Sequence, residues 1–415
     1  SGSPQNTGSY SFSIKRAADG ATVHGPYFVS AFVENVPDWA SAVGPAVLND
    51  GVGYATDDER YVFAPGEAGL YYIEFQNVNF IGYWDFTVAG ANGAIPGRVY
   101  SRNWAFRTPT VQNVDPECVW DREFNGHLFS YTTDGFVTAL DFAGSGLQGL
   151  SFTMAFNRRG PGMSGDLAED RKSVPNANVT ETAAEHLVFL HEPDPVLFPD
   201  GDCGVVDAEA NFNCVGTGGY CLELSVTRPG QVEVIIDADQ DGVFTPNLDR
   251  RLLYDFEEGQ SLSTCLPWDG LLGDGQPVDA GALLNLQINY TQGVQHWGVF
   301  DAEFLKYGFC VEPVRPICSN EQGTNVLYWD DRNLTELPGT GQPLDGRAGC
   351  DRTDLQCRTW DNFLPNIPSC DEINDDLTTG YGDKSTMNTW WFANVVTETL
   401  VEVPLTNIEI TGTTT

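Results

Sequence analysis

The stretch LLNLQINY, residues 283–290, sets Leu284, Leu286, Ile288 and Tyr290 against Asn285, Gln287 and Asn289. Strict alternation places every second side chain on one face of an extended chain, so this segment reads as a half-buried antiparallel strand. The same period recurs on both sides of it. In YYIEFQNV, Tyr71, Ile73 and Phe75 share a face opposite Tyr72, Glu74 and Gln76, and CLELSVT aligns Leu222, Leu224 and Val226. The 44 glycines and 24 prolines punctuate these runs at short intervals, as the turns of sandwiches and barrels require. Only DLAEDRK (166–172) and TETAAEHLVF (180–189) read as locally helical. The expected fold is all-β: tandem antiparallel β-sandwich domains, Ig-like or jelly-roll-like, with disulfides.

At 415 residues the chain exceeds one ordinary hydrophobic core, so several domains are expected. Its ten cysteines (118, 203, 214, 221, 265, 310, 318, 350, 357 and 370) fall in no C-x-x-C zinc spacing, and only five histidines accompany them. Disulfides are therefore expected, which points outside the reducing cytoplasm. Cysteine parity and turn-rich junctions divide the chain into four parts. Residues 1–112 form a cysteine-free β-sandwich, and 113–315 a larger one with six cysteines and an acidic loop. Residues 316–404 form a small disulfide-rich β domain, and 405–415 a linker to a further domain. The opening SGSPQNTGSY and the closing TNIEITGTTT read as the edges of a piece excised from something longer.

The net charge of −37 repels nucleic acid and anionic lipid and attracts cations. No apolar run approaches the roughly 20 residues needed to span a bilayer, so no membrane span is expected. In IIDADQDGVFTPNLDR (235–250), Asp237, Asp239 and Asp241 stand at positions 1, 3 and 5 of a loop with Gly242 at position 6. That spacing lets carboxylates converge on one ion while the glycine allows the sharp turn, and Val243 could add its carbonyl. An EF-hand would next require a glutamate at position 12. Leu248 stands there instead, Asp249 follows, and the flanks alternate as strands. The expectation is a structural Ca²⁺ loop joining two strands, with Asp237, Asp239, Asp241, Val243 and Asp249 as ligands; an empty acidic turn is the plainer reading.

Catalytic patterns are missing. GPGMSGD is not a nucleophile elbow, and no H-E-x-x-H occurs. His186 and His191 would lie on opposite faces of a strand. The chain is not expected to be an enzyme. Trp268, in the turn-dense LPWDGLLGDGQPVDAG, is expected to pack beneath a hairpin tip, with sugar stacking as the sharper alternative. Three N-x-T sequons, at Asn178, Asn289 and Asn333, would matter only in a host that glycosylates them.

Several phrases occur together and in order: IPGRVYSRNWAF (95–106), FNGHLFSYTTDGFVTALDF (124–142), IIDADQDGVF, PWDGLLGDGQPVDAG, NVLYWDD (325–331) and GYGDKSTMNTWWF (380–392). In these the chain resembles the very large secreted surface proteins of Bacteroidota associated with gliding motility. The resemblance implies an extracellular chain exported by the type IX secretion route, built as a string of β-domains and held at the outer cell surface. Members act as adhesins for gliding, attachment or capture of other cells, and no catalytic residues carry over. The carboxy-terminal sorting domain of that route is not among these phrases, which fits an internal segment. The expected function is structural and adhesive, with self-association or neighbouring domains of the same long chain as partners, and surface glycans or other cells as possible targets. The alternative is a carbohydrate-binding module of a secreted polysaccharide-degrading enzyme, which requires an exposed aromatic platform.

Overall fold

The computed structural model describes residues 10–29, 62–77, 86–106, 124–144, 147–148, 152–175, 182–215, 219–242, 244–245, 247–279, 281–300, 302, 304–305, 308–318, 326–334, 358 and 385–405. The chain divides into two compact units, Ser1–Val99 and Tyr100–Thr415. In the first, β1 (Tyr10–Arg16) is the central strand between β2 (Thr22–Val29) and β3 (Tyr71–Gln76), and a small hairpin follows with β4 (Ala89–Gly90) and β5 (Gly93–Ala94). The antiparallel register sets Phe12 opposite both Tyr27 and Phe75, and Ile14 opposite Ile73. One face of the sheet is thus aromatic, with Phe12 and Phe75 ring centroids 6.0 Å apart.

The second unit opens with β6 (Tyr100–Ser101), β7 (Asn103–Phe106), β8 (His127–Tyr131), β9 (Val137–Asp141), β10 (Leu147–Gln148) and β11 (Phe152–Asn157). A single-turn helix α1 (Leu167–Asp170), β12 (Val174–Pro175) and β13 (Leu187–Phe189) come next. Then follow β14 (Val206–Val215), β15 (Gly219–Val226), β16 (Gly230–Asp237), β17 (Arg250–Phe256), β18 (Ser263–Trp268) and β19 (Leu283–Gln292). The unit ends with β20 (Gln295–Phe300), β21 (Phe304–Leu305), β22 (Cys310–Arg315), β23 (Ser385–Trp391) and β24 (Asn394–Pro404).

Two sandwiches result. In the first, the sheet β22-β9-β8-β13-β6 and the sheet β12-β23-β20-β11-β7 enclose one core, in which Leu128, Leu140 and Val188 meet Phe156, Trp297 and Trp391. In the second, β14-β15-β18 and β17-β16-β19-β24 enclose another, where Leu222, Leu224 and Leu266 meet Val234, Ile236, Leu286 and Ile288. The alternation read in 283–290 is the reason: Leu284, Leu286, Ile288 and Tyr290 are each 1% exposed or less and all face that second core.

One antiparallel ribbon joins the sandwiches. Strand β19 pairs with β24 in one sheet, and two residues later β20 pairs with β23 in the other. The ribbon turns at Gly293, whose φ is +58°; a Cβ there would stand 2.6 Å from that of Ala393 and 2.8 Å from that of Phe136. Around the turn, the Gln292 Oε1 accepts from the Gly204 amide at 2.6 Å and from Asn394 Nδ2 at 2.9 Å. The Cys203–Cys318 disulfide fastens the same region, with Phe136, Cys318 and Ala393 forming a small buried cluster. A second disulfide, Cys221–Cys265, staples β15 to β18.

The antiparallel all-β architecture stands as read. The expected boundaries do not coincide with the two units. Strands β23 and β24 lie beyond residue 316 yet complete sheets begun before it, and the Cys203–Cys318 bridge crosses that boundary, so cysteine parity was no guide to the cut. The linker expected at 405–415 falls almost wholly outside the described residues. DLAEDRK does form a helical turn, capped by Asp166 accepting from the amides of Ala168 and Glu169. In TETAAEHLVF the described end is strand, not helix. Leu187–Phe189 pairs with β8 and β6, and burial of Val188 and Phe189 overrides local propensity.

Candidate metal site and buried polar junction

The acidic loop lies between β16 and β17, at one end of the second sandwich. It brings Asp237, Asp239 and Asp249 together, with one carboxylate oxygen from each within 4.8 Å of the others. Asp237 and Asp249 are buried, at 7% and 1% exposure, while Asp239 is exposed. The backbone winds around the two buried groups. Asp237 accepts from the amides of Gln240 (2.7 Å) and Gly242 (3.0 Å), and Asp249 from those of Ala238 (2.8 Å) and Thr245 (2.7 Å). Gln240 and Gly242 adopt φ of 63° and 77°, which makes the tight turn that the glycine foretold. The loop is tied to its surroundings by Gln240 Nε2 donating to the Leu283 carbonyl at 2.6 Å and by the Gly273 amide donating to the Leu248 carbonyl at 3.1 Å.

Burial pushes the Asp249 carboxyl above its ordinary range; the neighbouring Asp237 and Asp239 add to the push, and its two amide donors oppose it. The adjacent arginines point elsewhere: Arg250 lies 3.5 Å from Asp269, and Arg251 lies 3.0 Å from Glu233. Two buried carboxylates and an exposed third in this arrangement can hold a metal ion, using hard oxygen donors. Asp241, expected as a ligand, is exposed and is not one of the three; its amide donates to Asp239 at 3.4 Å. Val243 lies outside the described residues.

A second polar constellation sits inside the same unit and was not singled out from the sequence. Arg171, just after α1, is 4% exposed; its Nη2 donates to Gln231 Oε1 at 2.8 Å and its guanidinium stands 5.6 Å over the Trp390 ring. Strand β20 adds His296, fully buried, stacked on Trp390 and 3.0 Å from Asn388 Nδ2 through its Nδ1. His186 is 1% exposed, and its Nε2 lies 3.0 Å from the Val294 carbonyl. Burial depresses both imidazoles below the usual histidine value, and Arg171 adds to the effect on His296. Between the two sheets of the first sandwich, Gln295 Nε2 donates to Thr138 Oγ1 at 2.7 Å and its Oε1 accepts from the Ser130 hydroxyl. A buried ion pair, Arg358–Asp331 at 2.6 Å, ties residues 331 and 358 to β23 through the Asn388 carbonyl and Thr389. The sequence signal for part of this was adjacent polar residues within strands, at Gln295-His296, Ser385-Thr386 and Asn388-Thr389.

The remaining expectations resolve as follows. His191 is exposed and His186 buried, so they do not converge on one site. Trp268 is 2% exposed, with Nε1 donating to the Leu271 carbonyl at 2.9 Å beneath the hairpin tip. Trp297, Trp390 and Trp391 are core residues, and among the described residues no tryptophan is exposed. Of the sequons, Asn289 is 6% exposed and donates to Glu233 at 3.0 Å, Asn333 lies on an exposed turn, and Asn178 is outside the described residues. Among the described residues no helix is long and apolar enough to cross a membrane. In comparisons with known proteins, no family model, no curated protein and no solved structure matches the chain.

Proposed function

We propose that this chain is a stiff structural segment of an extracellular adhesive protein held at a cell surface. The observation that carries the reading is the continuous ribbon β19–β20 and β23–β24, which runs from one sandwich into the other through two-residue turns. The disulfide at Cys203–Cys318 and the ion pairs that Arg158 and Arg159 make to Asp255 add cross-braces at the same junction. Such construction suits a module that transmits force along a chain. The disulfides favour an oxidising, extracellular setting. Calcium is the ion proposed for the acidic loop, because aspartate oxygens on a flexible turn between strands suit its size and coordination; its role there is to hold the strand ends rigid. The likeness to the gliding-associated surface proteins of Bacteroidota favours the same assignment.

Immunogold electron microscopy of the producing cells, with an antibody against residues 100–405, tests the reading. Label on a surface coat or on filaments, together with loss of attachment when the antibody is added, is the expected result. Label confined to the cell interior, or freely released monomer with attachment unaffected, overturns it.

A further inference from the structure

The second sandwich is closed along one side, where the edge strands β14 and β24 lie against each other. Along the other side the edges β17 and β18 meet only sparsely, and a cleft of about 450 Å³ lies there. That is within the range of small-ligand sites, about 300–1,000 Å³. Its lining follows from the period of two. The core-facing row of β15 ends in Tyr220, that of β18 in Trp268, and that of β17 in Leu252 and then Arg250. Trp268 forms the floor, with Tyr220, Leu252 and Pro267 as apolar walls. The Tyr220 ring stands 5.6 Å from that of Trp268, and Gly270, at φ +77°, packs against its edge. A Cβ at Gly270 would come within 2.9 Å of the Tyr220 Cε2, so the glycine lets the hairpin hold that ring in place.

Where the apolar lining ends, a charged pair begins. The Arg250 and Asp269 side chains are 39% and 50% exposed, and Nη2 of one stands 3.5 Å from Oδ2 of the other, beyond hydrogen-bond reach. Arg250 Nε has no hydrogen-bond partner, and Asp269 accepts from the Leu271 amide through Oδ1 at 3.1 Å. The mouth therefore sets donors and an acceptor side by side with bonding capacity to spare.

We propose that this cleft binds a neutral saccharide. The C–H face of a pyranose lies against Tyr220, Leu252 and Pro267, and two neighbouring hydroxyls bridge Arg250 and Asp269. A hydroxyl both donates and accepts, so a vicinal pair gives one proton to the Asp269 carboxylate and takes one hydrogen bond from the Arg250 guanidinium. Other ligand classes fit less well. A purely apolar ligand would strip water from both charges without replacing its hydrogen bonds. An anion would meet Asp269, and the acidic loop directly before Arg250, in a chain of net charge −37. The tyrosine wall stands in for the exposed tryptophan platform that the described residues lack. The site goes beyond the adhesive reading and does not depend on it.

Isothermal titration calorimetry of the full chain tests the proposal, with cellotriose, maltotriose, xylotriose and mannotriose as probes and trigalacturonate as the anionic control. At least one neutral trisaccharide is expected to bind, at one site per chain, and to bind better than the control. Arg250→Gln and Asp269→Asn each remove a charged hydrogen-bond partner at a part-exposed position. Each should weaken binding at least about tenfold with the melting temperature unchanged. A titration of the wild-type chain followed by the NMR signal of the Trp268 indole N–H does not depend on the variants, and that signal should shift. No binding of any neutral trisaccharide at millimolar concentration overturns the proposal, and stronger binding of trigalacturonate overturns the neutral class. Binding that leaves the Trp268 signal in place, or that is undiminished in both variants, overturns the cleft as the site. Because the isolated chain is used, failure here leaves the surface location of the protein to its own test.

Discussion

Mild acid should destabilise the second unit well before its carboxylates titrate. His186 and His296 are 1% and 0% exposed, and burial holds both neutral in the folded chain. Burial is the main cause for His296; Arg171 and His186 add to it, and the Asn388 hydrogen bond opposes it without offsetting it. Around His186, Asp134 and Glu185 pull toward protonation while Arg158 pushes against it, and desolvation outweighs them. Both folded values are depressed, so below the unfolded histidine value of about 6.5 the unfolded chain binds more protons, and stability falls as pH falls. Each histidine that stays neutral in the folded state costs about 1.4 kcal/mol per pH unit below 6.5, or about 2 kcal/mol at pH 5. For the pair the loss between pH 7 and pH 5 is at most about 4 kcal/mol. With an unfolding slope of about 3 kcal/mol per molar urea, the midpoint should drop by about 0.5–1.3 M. Asp249, whose folded value is raised, works in the opposite sense, so the comparison is made against a variant. Urea titration followed by the fluorescence of Trp297, Trp390 and Trp391, all core residues, reads this unit directly. In His296→Gln the pH-dependent loss should shrink by at least half. A midpoint equal at pH 7 and pH 5, or a loss as large in the variant as in the wild type, would refute the reasoning.

Chelation with EDTA should lower the melting temperature of the calcium-loaded chain by several degrees, since an ion at a hundred times its dissociation constant contributes about 2.7 kcal/mol. Asp249→Ala should remove that sensitivity; a melt indifferent to chelator in the wild type speaks against the site. Asp331→Ala strands the buried Arg358 and should cost about 3–5 kcal/mol in urea unfolding, whereas an exposed pair such as Arg16–Asp19 should be nearly neutral to the same treatment. Cys203 and Cys318 are 115 residues apart, so replacing both by serine should cost about 5 kcal/mol by chain entropy; an unchanged unfolding midpoint would show that the ribbon alone sets the junction.

The strands were written locally. In LLNLQINY, CLELSVT and YYIEFQNV the period of two assigns each side chain to a face, and the structure keeps those assignments because a slip of one residue would turn every apolar group outward. The acidic loop was legible for the same reason: Asp237, Asp239 and Gly242 are neighbours whose spacing is set by the backbone. What the sequence could not settle was which strand meets which. Strands β23 and β24 lie far along the chain from their partners, and parity among cysteines says nothing about pairing, so these two strands of the stretch expected as a third domain complete sheets begun earlier. Nor could it show that Ser130 faces Gln295, or that Arg171, His186 and His296 are all buried in this unit. Those meetings depend on sheets stacking about 10 Å apart, a distance no local pattern encodes. The alternation of residues fixes what a strand buries; only the packed sheets decide what it is buried against.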